Sequence, residues 1–556
     1  MAKLPIMPDS DGIHKTTQTA FGGYNHNVHA GNGDIWDMEN MSGEEMPILT
    51  PRQPRYKIMD IDVSGECCSD FYARDGFFWV AGGKLYEKNA GEIMADLKPG
   101  KKIFASLCRY IIILPDNLYC IKKEKEGDGT VYWESGSLAH CFNEELDPQK
   151  TAVFYKDNPI PDMSTRYSVM ELPSDAHEFR AGDSVTVMVF KSMQTYEHIK
   201  IQAVIREVQG KYLSFHENTF LEVVKDQNSV QSTVLVHREV PELDFVCDND
   251  NRLWGCKGDT IYASKLGDPF NWNVFDGIST DSYAVNVGSA GDFTACCSYL
   301  GYPMFFKEDC IYKVYGNKPS NYQVMHTASL GVQAGSHLSL AVAGEQLFYL
   351  SRKGVMCYSG SIPANLSEAF GDEAYKNGTA GSDGVKYYIS MENAGGEYSL
   401  FVYNTGKLVW HREDNIHAVN FGFNNGLHFL DSNGVIWLAG GPGILPDPSF
   451  SWERESDIHS MVEFGDFYEG GADYSGVSKL QIRLEADAGA EIEVAAQFDN
   501  DGVWRRAALL TPQQKRSYYL PIIPRRSDHF RLRIKGVGMW RLFSLSREIY
   551  HGSQLR

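Results

Sequence analysis

The chain has 556 residues, 43% apolar and 22% charged, which is too long for one hydrophobic core and ordinary for a globular protein. Its formal charge of −20 argues against a broad grip on a nucleic-acid backbone. No run of about 18 apolar residues predicts a membrane-spanning helix, and Met1 to Asp11 lacks the charged-then-apolar pattern of a signal peptide.

Glycine (52 residues) and aromatics (12%) are plentiful, which favours short strands joined by tight turns. No amphipathic stretch holds a helical period beyond about three turns, so little helix is expected. Residues 1–54 read as an N-terminal arm, rich in Gly, Asn, Asp and Met and without periodicity. Such an arm is either disordered or pinned on a neighbouring surface. Its end, Ile48 to Arg55, is extended because Pro51 and Pro54 push their predecessors out of the helical region.

From there a unit recurs: a short aromatic strand, a turn that contains glycine in most copies, and a second short aromatic strand. The copies are Phe77-Phe78-Trp79 with Leu85-Tyr86, Tyr110 to Ile113 with Leu118-Tyr119, Leu253-Trp254 with Ile261-Tyr262, and Met304-Phe305-Phe306 with Ile311-Tyr312. They continue as Leu347-Phe348-Tyr349 with Val355 to Tyr358, Lys386 to Ile389 with Leu400 to Tyr403, and Leu427-His428-Phe429 with Val435-Ile436-Trp437. Seven degenerate copies at a spacing of roughly 40–50 residues predict the blades of a β-propeller.

The repeat is interrupted between 151 and 240. There Ser184-Val185-Thr186-Val187, Ile199 to Ile205, Tyr212 to Phe215 and Ser232 to Val236 alternate, predicting a small inserted β-barrel of four or five strands. After a proline-punctuated linker (Pro442, Pro446, Pro448), residues 451–556 show strands with one apolar and one charged face, such as Leu480 to Leu484 and Phe530 to Ile534. A C-terminal β-sandwich, jelly-roll-like, is the expected solution. The whole is an all-β chain with propeller segments at 55–150 and 241–450.

Residue patterns with chemical potential are sparse. Asp499-Asn500-Asp501-Gly502 begins like a calcium loop, but its twelfth position is Leu510, so a hairpin turn is expected; Asp248 to Asn251 reads the same way. Leu430 to Trp437 partly resembles the Asp-box turn of sialidase propellers, with Ser432 where that motif wants Asp, and reads as a blade turn with a core Trp. Gly440-Gly441-Pro442-Gly443 has no following helix to make a phosphate cradle. His411, His417 and His428 fit no metal spacing and read as surface or strand-edge residues. The eleven cysteines, with adjacent pairs Cys67-Cys68 and Cys296-Cys297 and no C-x-x-C, read as small buried hydrophobes. The densest basic cluster runs from Pro521 to Phe530 with Arg505-Arg506, Lys515-Arg516, Arg531 and Arg533 nearby, and reads as a solvated or docking face. No catalytic, cofactor-binding or metal-ligating residue is nominated, and the chain is read as having no enzymatic activity.

Three segments together resemble a known family. Phe21-Gly22-Gly23 leads to Asp37-Met38-Glu39-Asn40-Met41-Ser42 and Pro47-Ile48-Leu49-Thr50-Pro51-Arg52, like the opening of many phage tail and neck proteins. Asn251 to Gly255 with Thr260 to Trp272, then Phe305 to Gly316, resemble blades of the tail-hub, nozzle or packaged-DNA-stabilisation propellers of short-tailed phages. The C-terminal module, from Ile482-Arg483-Leu484 to Phe530, is similar to one found in prophages of Gram-positive bacteria. The resemblance implies a structural virion protein. It would form a homo-oligomeric ring, a hexamer, below the portal and adaptor, with tail fibres as further neighbours and transient contact with genomic DNA in its channel. A rival reading is a tail-associated protein that binds cell-surface glycan through Trp452, Trp504 and Trp540, since sugar rings pack on aromatic faces. A glycoside hydrolase ranks third, because its two facing carboxylates cannot be seen in a sequence.

Overall fold

In the computed structural model the described residues are 13–27, 34–61, 68–74, 76–125, 129–160, 167–225, 227–439, 453–456, 458–468, 475–512, 514–522 and 526–551. The glycine-rich Gly440 to Gly443, the linker prolines, Cys67, Trp452 and Arg525 lie outside them. The regular structure of the described residues is almost entirely antiparallel strand, with a single α-helical turn, Leu221–Val224, and three short 3-10 turns. None of these helices is long and apolar enough to cross a membrane. The chain divides into two compact units, Met1–Gly82 with Val332–Arg556, and Gly83–Gly331.

The second unit holds three four-stranded antiparallel sheets, formed by strands within 103–137, 245–286 and 295–328. Their central hairpins are the aromatic pairs of the repeat: Ile112 faces Tyr119, Gly255 faces Tyr262, and Phe305 faces Tyr312. Trp254, Phe305 and Tyr312 are buried between successive sheets. The interruption is one rolled eight-stranded sheet that begins at His140 and ends at Arg238, more strands than the four or five expected. The edge strand Glu197–Val204 runs on through Ile205 and Arg206 into the opposite edge strand Glu207–Gln209. One bent chain run thus serves both ends of the sheet, around a core that includes Phe154, Val187, Phe215 and Val236.

The first unit repeats the four-stranded design at 341–365, 375–412 and 418–438. The last of these has only three strands of its own. Its fourth is Tyr56–Asp60, which returns from the far end of the chain to pair with Val435–Leu438, and Glu453–Arg454 adds a fifth. Tyr387 and Phe348 stack between neighbouring sheets with ring centroids 5.0 Å apart.

Two five-stranded sheets follow, and each takes a strand from the arm. Ile13–Gln18 pairs with Trp540–His551 in one, and Ile35–Glu39 pairs with His459–Phe464 in the other. The two inner faces, Leu480, Ile482 and Leu545 against Val462, Val494 and Ile534, share one core. The sandwich is therefore not confined to residues 451–556, and the described part of the arm is pinned on its own chain. Phe21, Tyr24, Ile35, Met38, Met41, Met46 and Leu49 are all buried in that core. Burial of each such side chain is worth about 1.5–3 kcal/mol, so apolar packing holds the arm before any ion pair is considered.

Candidate functional site

The most highly organised polar cluster lies where the arm crosses the strand Val409–Arg412 and meets the sandwich. The arm must approach that strand closely. Tyr24 N donates to the Trp410 carbonyl at 2.7 Å, and a Cβ on the preceding Gly23 would sit 2.4 Å from the same oxygen. Only glycine fits there. After Ile35–Glu39 the chain turns at Asn40, whose φ of 53° is the left-handed conformation that asparagine tolerates well. Asn40 N then donates to the Glu413 carbonyl, and its side-chain Nδ2 donates to the His459 carbonyl at 2.8 Å.

Twelve residues later Arg52 and Arg55 turn inward, with side chains only 6% and 2% exposed. Arg52 Nη1 and Nη2 donate to the two carboxylate oxygens of Glu455 at 2.7 and 2.8 Å, a bidentate pair. Arg55 Nη1 donates to Asp414 at 2.6 Å and Nη2 to Glu413 at 2.5 Å. The main chains join the same knot: Arg55 N donates to Glu455 Oε2 at 3.0 Å, and Glu455 N donates to the Arg55 carbonyl at 2.9 Å. The Arg55 guanidinium also lies 5.3 Å from the centre of the Phe429 ring.

Three carboxylates thus face two guanidiniums in a nearly dry space. Burial alone would raise the Asp414 carboxyl, but the charges of Arg55 and Arg52 outweigh it and hold it below the usual carboxylate range. Glu455 follows the same balance, with the Arg52 hydrogen bond as the main opposing force. Burial would make Arg55 easier to deprotonate, yet Asp414 and Glu413 raise its affinity for the proton further. A buried ion cluster of this kind adds little net stability compared with apolar packing, but removing one member leaves an uncompensated charge. Its chemistry is that of a latch with a fixed register.

Further clamps hold the same arm. Glu44 pairs with Lys386, Glu45 takes both Arg541 Nε and Nη2 at 2.7 and 2.9 Å, and Asp37 pairs with Arg412 at 2.9 Å. Beneath Gly43 lies His411, 2% exposed, whose Nδ1 has no partner. Burial, aided by the Lys386 charge, pushes its pKa down to about 3.

The patterns singled out in the sequence fall in different places. Asp431 does build an Asp-box-like turn: its carboxylate accepts from Asn433 N, Val435 N and Trp437 Nε1 at 2.8, 2.9 and 2.9 Å. Asp499 to Gly502 form a hairpin turn with φ of 50° at Asp499 and Asn500, and Asp250 and Asn251 turn similarly. His411 lies on an edge strand yet is buried, His428 is buried on an inner strand, and His417 is half-exposed, stacked on Tyr398 at 3.6 Å. Trp540 is also buried, its indole donating to Ser460 Oγ at 2.9 Å, so it offers no face to a ligand. Within the basic cluster, Arg531 is engaged by Asp466 and Glu463, and Arg505 by Asp501. Cys120 and Cys256 are buried as expected, whereas Cys108 is exposed. No group of His, Cys, Asp and Glu among the described residues could hold a metal ion. The latch acids Glu413, Asp414 and Glu455 were not foreseen. An acidic pair ending a strand carries no local signal, because its arginines lie more than 350 residues away.

A separate cleft of about 420 Å³, between the strand ends near Arg352 and Tyr375, brings Glu368, Asp372 and Glu373 near Arg352 and Lys353. Glu373 accepts the hydroxyl of Tyr375.

No family model matches the chain, and no curated protein does. Solved structures do align. An exo-β-1,3-galactanase from Phanerochaete chrysosporium, determined with β-1,3-galactotriose, is 9% identical; the match covers 53% of this chain and 92% of that one at a TM-score of 0.21. An engineered GH43 glycoside hydrolase with endo-xylanase and exo-arabinofuranosidase activity is 9% identical, covering 54% and 95% at a TM-score of 0.19. A third, a glycoside hydrolase, is 10% identical, covering 80% and 96% at a TM-score of 0.14. These three solved chains are glycoside hydrolases, and they stand against the expectation of a chain without enzymatic activity. Likeness at these TM-scores carries no reaction, substrate or residue role over to this chain.

Proposed function

We propose that this chain is a structural subunit of a phage tail, of the hub or nozzle type. Its four-stranded sheets would close into a seven-bladed propeller, and its copies would assemble into a six-membered ring around a channel for DNA. One observation carries the reading: the residues that resemble the openings of tail and neck proteins are those that tie the arm down. Gly23 permits the close approach to Trp410, Asn40 makes the turn, and Arg52 enters the ion cluster. A subunit stitched end to end, with Tyr56–Asp60 completing a sheet begun at Ala418, resists being peeled open from its N-terminus. That property suits a component through which a genome is driven. The formal charge of −20 favours a wall that repels DNA and lets it slide, an effect that salt weakens.

The test is the mass of the purified protein and its place in particles. A ring of six 62.4 kDa chains, found on the tail axis when virions are imaged, is the expected result. A stable monomer absent from particles would refute the proposal.

A further inference from the structure

The outward face of the sheet that carries His459–Phe464, Glu491–Phe498 and Phe530–Val537 holds a groove of about 430 Å³, a size within the range of small-ligand clefts. Strand alternation builds it. Phe530, Leu532 and Ile534 point into the core, so Arg531, Arg533 and Lys535 point out; likewise Ile492 and Val494 point in and Glu491 and Glu493 out. Register then sets Lys535 between Met461 and Glu493, and Arg533 between Glu463 and Ala495.

Two neighbouring arginines on this face are treated differently. Arg531 lies over Trp36 at 5.0 Å and is neutralised, donating to Asp466 at 2.6 Å and to Glu463 at 3.2 Å. Arg533 lies over Trp504 at 4.3 Å, but its Nε is buried without a partner. Its guanidinium makes no ion pair or hydrogen bond to any described residue. Glu39, Glu491, Glu493 and Lys535, which line the same groove, form no ion pair among the described residues either. A groove whose donors and acceptors stay apart while an indole holds a guanidinium in place is organised for a ligand that supplies both kinds of partner. Leu509, 55% exposed, adds an apolar wall.

We propose that this groove binds an uncharged saccharide. Ring hydroxyls both donate and accept, so one sugar can bridge the glutamates and the Arg533–Lys535 pair while an apolar ring face rests on Leu509, and Trp504, behind the lining, keeps Arg533 in place. Three glutamates against two cations disfavour a polyanion. The proposal is independent of the tail reading, because it needs no ring.

The test uses the full chain and calorimetric titration with neutral tetrasaccharides of galactose, xylose, glucose and N-acetylglucosamine. At least one should bind, and Arg533→Gln and Trp504→Ala should each weaken it by about tenfold or more. Both variants should keep the wild-type unfolding temperature, and Arg352→Ala, in the other cleft, should bind like wild type. Absence of binding by every tetrasaccharide, or binding indifferent to Arg533→Gln, would overturn the proposal. So would a change in self-association caused by Arg533→Gln without any sugar effect, since the groove would then be a contact between copies.

Discussion

Arg52 Nε donates to Asn40 Oδ1 at 2.8 Å, and Arg52 N donates to the Asn40 carbonyl at 2.9 Å. The two residues belong to separate parts of the arm pattern, twelve positions apart, and the structure makes them one unit. Asn40 fixes the turn out of the sandwich, and Arg52 carries the chain into the ion cluster. Replacing either should therefore release the same contact. The coupling energy in a double-mutant cycle of Asn40→Ala and Arg52→Ala should be about 0.5–3 kcal/mol, the range for residues in one hydrogen-bond network. Denaturant unfolding of the four proteins gives the value directly.

Within the cluster, Arg55 is the more deeply buried cation. Arg55→Ala leaves Glu413 and Asp414 without their closest partner and should cost about 3–5 kcal/mol. Arg55→Met, which keeps volume but removes the charge, should not rescue it, because the acids remain. A wild-type midpoint for Arg55→Ala in denaturant would contradict the latch.

Gly23→Ala tests the arm mechanically. The added methyl would meet the Trp410 carbonyl at 2.4 Å and Val409 Cβ at 2.9 Å, so the arm must lift. Limited proteolysis should cut this variant within the arm at enzyme levels that leave the parent intact, while Gly22→Ala, whose nearest neighbour is 3.6 Å away, should behave like the parent.

Acidification should loosen the arm in two stages. His411 has its folded pKa depressed to about 3, so the stability it contributes is present above its unfolded pKa, about 6.5, and is lost progressively as the pH falls from there through the folded value. Asp414 and Glu455 are held below their ordinary values, so their contribution persists to lower pH and is lost only below the usual carboxylate range of about 4. His411→Gln should remove the first stage and keep the second. Melting temperature followed against pH would separate them; an unchanged slope on the upper limb in His411→Gln would count against the assignment.

Asp431→Ala strands two backbone donors and the indole of Trp437. Each unsatisfied buried donor costs about 1–3 kcal/mol. Loss of the sheet edge that receives Tyr56–Asp60 should appear as faster hydrogen exchange in that strand, with the sandwich unaffected.

The repeat was legible because it is written locally. Every aromatic pair read from the sequence marks the strands it was expected to mark, since alternation and turn glycines act over a few residues. The alternating strands of the insertion, though not their number, and the charged-and-apolar strands of the sandwich were readable on the same grounds. The arm was not. Ile13–Gln18 and Ile35–Glu39 show no strand period of their own, because each is completed by a partner more than 400 residues distant. His411 lies on an edge strand, as the sequence allowed, but its burial could not be read there because it comes from the arm lying over it.

The order of residues thus determined the short antiparallel sheets, their aromatic faces and their turns, all consequences of local sterics and period-two patterning. Only the tertiary structure decided which strands the arm would complete, which acids would meet Arg52 and Arg55, and which of Arg531 and Arg533 would be left without an ion pair. Those outcomes depend on long-range register and on the exclusion of water from a shared core, and neither is encoded in any single stretch of the chain.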